Sequence, residues 1–148
     1  MEHMPRAKKM ANATRVRDVM TPDPVTLSPT NSIRDAAVTM RDRGIGDVLV
    51  VDGDEVVGIV TDRDIVVRGL AGGDERATLA DIVSREVTTI GPDDSVDAAV
   101  RLMRERAIRR LPVMDGTRPV GIVSLGDLAL SMDRRSALAD VSAALPNT

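Results

Sequence analysis

The chain has 148 residues, of which 43% are hydrophobic and 29% charged, and its formal net charge at pH 7 is −3. This composition is typical of a globular protein, and the negative charge disfavours a basic nucleic-acid-binding protein. The chain has no cysteine, no aromatic residue and one histidine. These counts exclude disulfides, thiolate zinc sites, cysteine nucleophiles and aromatic stacking platforms for nucleic acids, and they disfavour a serine–histidine–aspartate triad.

The ends of the chain carry no targeting or membrane pattern. Residues 1–14 contain basic residues but no apolar run, so we predict a flexible N-terminal arm with His3 as a tail residue. No apolar run approaches the roughly 18–20 residues that span a bilayer. We therefore expect a cytoplasmic protein without a membrane partner, and we predict that residues 133–148 form a C-terminal tail or a weak helix.

An internal repeat organises the rest of the sequence. A shift of 63 residues places residues 16–64 on residues 79–127 without a gap, and Val57–Val60 then meets the identical tetrapeptide Val120–Val123. One register held across turns, helices and strands indicates a duplicated unit. The predicted organisation is a first repeat at residues 15–70, a linker at residues 71–77 and a second repeat at residues 78–132.

Each repeat predicts the same elements in the same order. A short segment at residues 16–20 or 79–83 precedes a short strand at residues 25–27 or 87–90. An amphipathic helix follows, with Ser32 or Ser95 as its N-cap, and it places Met40 or Met103 on its apolar face. Two strands then surround a tight turn, and a last helix begins at Thr61 or Ser124. The predicted fold class is α/β (α+β): two small sheets, each packed with two helices, related by pseudo-two-fold symmetry.

The end of each repeat carries the candidate chemistry. Residues 58–64 and 121–127 both fit Gly-x-x-Thr/Ser-x-x-Asp and run from a strand into a helix. A hydroxyl and a carboxylate three residues apart at a helix start converge on one point, where they could hold the vicinal diol of a ribose. The same spacing is also that of a capping box, which is a purely structural role. Both interpretations remain open from the spacing alone.

These residues resemble the CBS-domain pair, or Bateman module. The resemblance rests on Gly58–Ile65 in tandem with its copy, on residues 19–22 and on residues 109–113, and it covers roughly residues 15–132 of a small stand-alone pair. The family holds the ribose of adenosine-type ligands with the hydroxyl residue and the aspartate of the motif. The ribose-binding residues that the resemblance implies are Thr61, Asp64, Ser124 and Asp127.

The resemblance also implies walls for an adenine and partners for a phosphate. Aliphatic side chains near the first two strands enclose the adenine in this family, and here the candidates are Val25, Thr26, Val48, Leu49, Val87, Thr88, Leu111 and Pro112. Basic residues near the cleft meet the phosphates, and here the candidates are Arg63, Arg109, Arg110 and Arg118. Neither a metal site nor a catalytic residue is implied.

The two copies differ around the motif. Asp47 stands in the first copy where the second has Arg110, and a carboxylate there would repel a phosphate. The second copy has Leu125 and Gly126 where the first has Asp62 and Arg63, so it lacks that arginine. Each site therefore keeps only part of the set of residues that the family pattern supplies. We expect one nucleotide in a composite cleft between the repeats.

Three functional hypotheses follow. The first is a non-enzymatic regulatory module that requires no cofactor, binds AMP, ADP, ATP, S-adenosylmethionine or NAD, and signals to an unknown protein effector in trans. The second is a ligand-free dimeric scaffold or stress-response protein. An enzyme ranks last, because no nucleophile–base pair appears in the sequence. The resemblance further implies a homodimer, with two pairs joined into a disc of four repeats.

Overall fold

The computed structural model describes residues 15–85 and 87–133; the predicted N-terminal arm with His3 and the tail after residue 133 lie outside them. The helices are α1 (Val16–Val19), α2 (Ile33–Arg43), α3 (Asp62–Asp64), α4 (Leu79–Ile82), α5 (Val96–Arg106) and α6 (residues 125–133). The strands are β1 (Thr21–Pro22), β2 (Thr26–Leu27), β3 (Asp47–Asp52), β4 (Glu55–Thr61), β5 (Arg110–Asp115) and β6 (Arg118–Ser124). Helix α3 continues directly into a π-helical segment, Ile65–Leu70.

The described residues form two compact units that do not follow the order of the chain. Unit 1 contains residues 15–22, 90–113 and 121–133, and unit 2 contains residues 23–85, 87–89 and 114–120. Each unit therefore combines most of one repeat with the opening segment of the other repeat.

Unit 2 contains a three-stranded sheet in the order β2-β3-β4. Strand β2 runs parallel to β3, and β3 and β4 form the predicted hairpin, with Gly53 at a φ of 61° in its turn. Helix α2 begins at Ser32, whose hydroxyl accepts a hydrogen bond of 2.9 Å from the N–H of Asp35, as predicted. The helix and one face of the sheet enclose a core of buried aliphatic residues: Ala36, Met40, Val48, Val50, Val60, Ile65, Leu79, Ile82 and Val83.

The second sheet has the order β1-β6-β5, and unit 1 holds β1 with residues 110–113 of β5 and 121–124 of β6, whereas residues 114–120 belong to unit 2. Helix α5 of unit 1 begins at the predicted cap Ser95 and buries Met103. The strand predicted at residues 87–90 is reduced to one parallel bridge between Ile90 and Val113, the counterpart of the Leu27–Val50 pair in unit 2. The reason is Pro112, which stands where unit 2 has Leu49. Leu49 donates its N–H to Val25, whereas proline has no N–H to extend the ladder.

The opening segments of the two repeats are exchanged reciprocally, because each belongs to the unit that holds most of the other repeat. In unit 1, the N–H of Val16 donates to the carbonyl of Asp94 at 2.9 Å. In unit 2, the N–H of Leu79 donates to the carbonyl of Asn31 at the same distance. Both members of the second pair lie 63 positions from a member of the first, so the pseudo-symmetry of the sequence is also that of the hydrogen bonds. Strand β1 shows the same exchange, because Thr21 precedes the first repeat's strand but pairs with Ile122.

Candidate functional site

The motif of the first repeat forms a closed capping box at the end of β4. The backbone of Thr61 is extended, so its side chain turns over the first turn of α3. Its Oγ1 accepts a hydrogen bond of 3.2 Å from the N–H of Asp64, and Oδ2 of Asp64 accepts one of 2.9 Å from the N–H of Thr61. The hydroxyl and the carboxylate are thereby brought to the same point, as the spacing predicts.

The motif of the second repeat forms the same arrangement at the end of β6. The N–H of Asp127 donates to Oγ of Ser124 at 3.0 Å, and the N–H of Ser124 donates to Oδ2 of Asp127 at 3.0 Å. Equivalent backbone hydrogen bonds hold the start of the helix in both units. The N–H of Asp62 donates to the carbonyl of Gly46, and the N–H of Leu125 donates to the carbonyl of Arg109.

Capping leaves both side chains with unused hydrogen-bonding capacity. A hydroxyl has one donor and two acceptor sites, and the cap uses one acceptor site. Within the described part of the chain, the capping bonds engage Oδ2 of Asp64 and Asp127, and each carboxylate keeps Oδ1. The four side chains of the two motifs are half-buried, so solvent reaches them. The structural and ligand-binding interpretations of the motif are therefore compatible with each other.

The register of unit 2 decides which strand residues share a face with Thr61. Directly opposite residues of an antiparallel pair lie on one face, and successive residues along a strand lie on opposite faces. Asp47 is opposite Thr61, Leu49 is opposite Ile59, and Thr26 is the partner of Leu49. These residues form the face that carries the hydroxyl.

The predicted adenine wall of unit 2 is divided between the two faces of the sheet. Val25 and Val48 belong to the core face, where Val48 is completely buried and Val25 packs against the same cluster. Thr26 and Leu49 lie on the face of Thr61, with Thr26 exposed and Leu49 fully buried. A ligand held by Thr61 would therefore meet Thr26 and the half-buried Ile59 on this face.

The second copy divides its predicted wall in the same way. Alternation along β5 places Arg110 and Pro112 on one face and Leu111 on the other, with Leu111 and Pro112 both buried. Alternation along β6 places Ile122 on the same side as Ser124. Val87 and Thr88 are half-buried in the coil between α4 and Ile90 and belong to unit 2.

The candidate phosphate-binding residues occupy three kinds of position. Arg63 is exposed in the first turn of α3, beside the Thr61 motif. Arg109 and Arg110 precede and begin β5, and Arg109 is tied to the start of α6 by its carbonyl. Arg118 begins β6, six residues before Ser124, and this separation corresponds to about 20 Å along an extended strand. Arg118 therefore lies at the opposite end of β6 from the second motif.

The described residues contain neither a cluster suited to a metal ion nor a membrane-spanning helix. In residues 15–85 and 87–133, no group of three or more histidine, cysteine, aspartate or glutamate residues is arranged to hold a metal ion. Across the same residues, no helix combines the length and apolar character needed to cross a bilayer.

Comparison with known proteins identifies the duplicated unit. The family model for the CBS domain matches the chain twice, at residues 16–70 and 79–133. The chain belongs to the CBS-domain family. It is similar to protein YlbB of Bacillus subtilis, with 38% identity over 136 residues that cover 87% of this chain and 92% of the relative. It is also similar to hypoxic response protein 1 of Mycobacterium tuberculosis, with 33% identity over 119 residues that cover 78% of this chain and 83% of the relative.

Solved CBS structures have the same fold. A CBS pair of protein MJ0100, in complex with 5′-methylthioadenosine and S-adenosyl-L-methionine, matches with a TM-score of 0.73 at 32% identity, covering 81% of this chain and 96% of that one. Hypoxic response protein I, with two coordinated zinc ions, matches with a TM-score of 0.69 at 33% identity, covering 79% of this chain and 98% of that one. The predicted tandem CBS fold is confirmed.

Sequence reasoning did not single out two residues within the motifs as candidates for the wall. Ile59 and Ile122 precede the hydroxyl residues Thr61 and Ser124 by two positions, so they share their faces of the sheets. The signal was available in the strict alternation of Gly58-Ile59-Val60-Thr61, in which Val60 belongs to the core and Ile59 does not.

Proposed function

We propose that this CBS pair is a non-enzymatic regulatory module that binds adenosine-type nucleotides through Thr61 with Asp64 and through Ser124 with Asp127. The observation that supports it best is the capacity left over by the two capping boxes. Each places a hydroxyl beside a carboxylate oxygen that has no capping role, within reach of solvent. A ribose diol donates to a carboxylate and exchanges hydrogen bonds with a hydroxyl, so it matches this pair of groups.

The ligand class is supported by a relative. The CBS pair of MJ0100 was solved with two adenosine derivatives, 5′-methylthioadenosine and S-adenosyl-L-methionine. For this chain we propose the same class, which includes AMP, ADP, ATP, S-adenosylmethionine and NAD. An aliphatic wall such as Ile59 and Thr26 suffices for the face of an adenine, which suits a chain without aromatic residues.

Signalling to a partner requires a surface to which a second chain can bind. Unit 2 exposes Val66, Val67 and Leu70 on its π-helical segment, and unit 1 exposes Leu125, Leu130 and Met132 on α6. We propose that these residues support a homodimer and contact with a protein effector. They also favour the second candidate function, a ligand-free interaction protein of a stress response. Hypoxic response protein 1 is a relative whose name fits that alternative.

The test is thermal unfolding of the full chain, followed with an apolar dye, with each adenosine compound added alone at millimolar concentration. A ligand present at 100 times its dissociation constant adds about 2.7 kcal/mol to the free energy of unfolding, which raises Tm by roughly 5–10 °C. The matched control is the double variant Asp64→Asn/Asp127→Asn. An asparagine oxygen still accepts the capping bond, but its amide replaces the oxygen offered to the ribose.

Nucleotide binding predicts a rise in Tm for the natural chain and none for the double variant. If no compound raises Tm, or if the double variant responds equally, the motifs are caps alone and the interaction protein becomes the better account.

A further inference from the structure

The helices that follow the two motifs begin alike and then diverge. Each buries the residue directly after the motif aspartate, which is Ile65 in unit 2 and Leu128 in unit 1. The next buried residue is Gly69 in unit 2, four residues on, but Ser131 in unit 1, three residues on. Because the repeat pairs Ser131 with Arg68, the buried position has moved by one residue between the copies.

The backbone explains the moved position. Ile65–Leu70 is π-helical, and the N–H of Ala71 donates at 3.0 Å to the carbonyl of Val66, five residues earlier. Helix α6 of unit 1 is α-helical, so its hydrogen bonds span four residues. The longer turn of unit 2 brings Gly69 against Ile33, where a Cβ on the glycine would be 2.8 Å from Cδ1 of the isoleucine.

Two residue types match these two backbone registers. In the α register, Arg68 would be buried as its counterpart Ser131 is, and Oγ of Ser131 has no hydrogen-bond partner among the described residues. A guanidinium buried at such a position would leave charged donors unpaired, which is costly. In the π register, Ile33 leaves no room for a side chain at Gly69, whereas the counterpart Met132 is exposed. Arg68 and Gly69 therefore favour the π register.

The π register also lets Arg68 hold the opening segment of the second repeat, residues 79–84. Nη1 of Arg68 donates at 3.3 Å to the carbonyl of Ile82, in the last turn of α4, where a helix leaves its own carbonyls unsatisfied. Two residues later, the carbonyl of Ser84 lies against Gly58 of the motif. The opening segment is therefore fixed both by the helix after the motif and by the strand before it.

We infer that Arg68 couples the register of residues 65–70 to the docking of residues 79–84. If the opening segment leaves its place, Arg68 loses its acceptor and the π register loses a bond that favours it. A change to the α register turns the exposed apolar side chains of this segment to new directions. The coupling is reciprocal, as linkage requires. In unit 1, Ser131 makes no equivalent hydrogen bond among the described residues, so we assign the coupling to unit 2 alone.

The coupling supplies a route for regulation, and this role rests on the proposed function. The opening segment leads into Val87 and Thr88, two candidates for the adenine wall. The π-helical segment carries Val66, Val67 and Leu70, which we propose to contact a partner. A ligand that fixes the coil at Val87 and Thr88 would hold the opening segment in place, and it would thereby favour the π register and the surface that this register presents.

The register is measured by NMR on the full chain labelled with ²H, ¹³C and ¹⁵N. Scalar couplings across hydrogen bonds show which amide bonds to the carbonyl of position 66. We expect the amide of Ala71 in the natural chain and that of Leu70 in Arg68→Ser/Gly69→Met, which takes both residues of the second copy. The matched control, Val66→Ala/Val67→Leu, also takes residues of the second copy, but at positions exposed in both copies, so it should keep the π register.

Hydrogen exchange of the same proteins measures the docking of the opening segment. Without the bond from Arg68, the amides of residues 79–84 should exchange about fivefold faster or more, both in the double variant and in Arg68→Ser alone. The amides of residues 16–19 in unit 1 are the internal reference and should be unaffected.

The reverse direction is tested at the other end of the opening segment. Gly58→Ala displaces Ser84, so we expect the bond between the amide of Leu70 and the carbonyl of Val66 to appear in part of the molecules. Gly121→Ala makes the equivalent change in unit 1 and should leave the π register intact.

Three results would overturn the inference. A π register that persists in Arg68→Ser/Gly69→Met would show that these residues do not select it. Unchanged exchange of residues 79–84 in both variants that lack Arg68 would show that Arg68 does not hold the opening segment. An unchanged register in Gly58→Ala would show that docking and register are independent. These measurements use no nucleotide, so their outcome is separate from that of the proposed ribose sites, which the Tm measurements test.

Discussion

The carbonyl oxygen of Ser84 occupies the space into which a Cβ atom of Gly58 would project. The equivalent pair in unit 1 is Gly121 and Thr21, whose carbonyl oxygen would lie 2.9 Å from such a Cβ. The opening segment of each repeat thus crosses a strand of the other repeat at a glycine. The glycine of the Gly-x-x-Thr/Ser-x-x-Asp motif is therefore a packing residue, which makes the exchange of segments possible.

We predict that Gly58→Ala and Gly121→Ala each lower the free energy of unfolding by about 1–3 kcal/mol, because the backbone of the crossing segment must move. Urea unfolding followed by circular dichroism measures the loss. Gly126→Ala is the control, because its Cβ would make only an ordinary contact and alanine favours a helix. An equal loss in all three variants would contradict the role assigned to the crossing.

The C-caps of the two long helices provide a second prediction. Helix α2 ends at Gly44 with a φ of 64°, and α5 ends at Ala107 with a φ of 53°. A left-handed conformation is unfavourable for alanine and easy for glycine. Ala107→Gly is therefore expected to stabilise the protein by about 1 kcal/mol, and Gly44→Ala to destabilise it by a similar amount. Thermal unfolding of both variants checks the opposite signs, and a loss of stability in Ala107→Gly would refute this reading of the cap.

A third prediction tests the capping role of Thr61. Thr61→Ala removes the acceptor for the N–H of Asp64 and should cost about 1 kcal/mol. Thr61→Ser keeps the hydroxyl, as Ser124 does in the other copy, and should change the stability by much less. The free energy of unfolding in urea measures both. An Ala variant as stable as the Ser variant would mean that the hydrogen bond does not hold the start of α3.

The fourth prediction concerns acid stability. The hydrogen bond from Arg17 lowers the pKa of Asp93 from its ordinary value of 3.8, with a smaller contribution from Arg15, and the backbone N–H of Ser32 lowers that of Asp35. A carboxylate with a lowered folded-state pKa stabilises the fold above its unfolded pKa, and this contribution is lost as the pH falls through the folded value.

The protein should therefore lose stability as the pH falls below about 4. Asp93→Asn should be less stable than the natural chain near neutral pH, with the difference shrinking in acid. Urea midpoints measured along a pH series test this, and about 1 M NaCl should reduce the difference because the carboxylate is exposed. A difference that grows as the pH falls would contradict the ion pair between Arg17 and Asp93.

Local structure was predictable from the sequence because it depends on near neighbours. The caps Ser32 and Ser95, the two hairpins and the helices that begin after Thr61 and Ser124 all follow from patterns within a few residues. The reciprocal exchange was not predictable in this way. A repeat shows which residues of the two copies are equivalent. That equivalence is the same whether the opening segment of each copy packs with its own repeat or with the other one.

The sequence predicted the convergence of the hydroxyl and the carboxylate in each motif. It predicted less well which strand residues lie on the same face of the sheet as the hydroxyl. The hydroxyl and carboxylate of each motif converge because their spacing on a helix start is fixed. The adenine candidates were taken as adjacent pairs, such as Val48 and Leu49, whereas a strand directs adjacent side chains to opposite faces. Only the observed register shows that Leu49, on the neighbouring strand, shares the face of Thr61.

The most direct test of nucleotide binding is an NMR titration of the ¹⁵N-labelled full chain with an adenosine compound, starting with AMP and 5′-methylthioadenosine. We predict that the backbone amide signals of Thr61–Asp64 or Ser124–Asp127 move and saturate with ligand. The signals of the β3–β4 turn at Gly53 should stay in place. Saturating shifts confined to other parts of the chain, or no shifts at millimolar ligand, would contradict the proposal that these motifs bind a ribose.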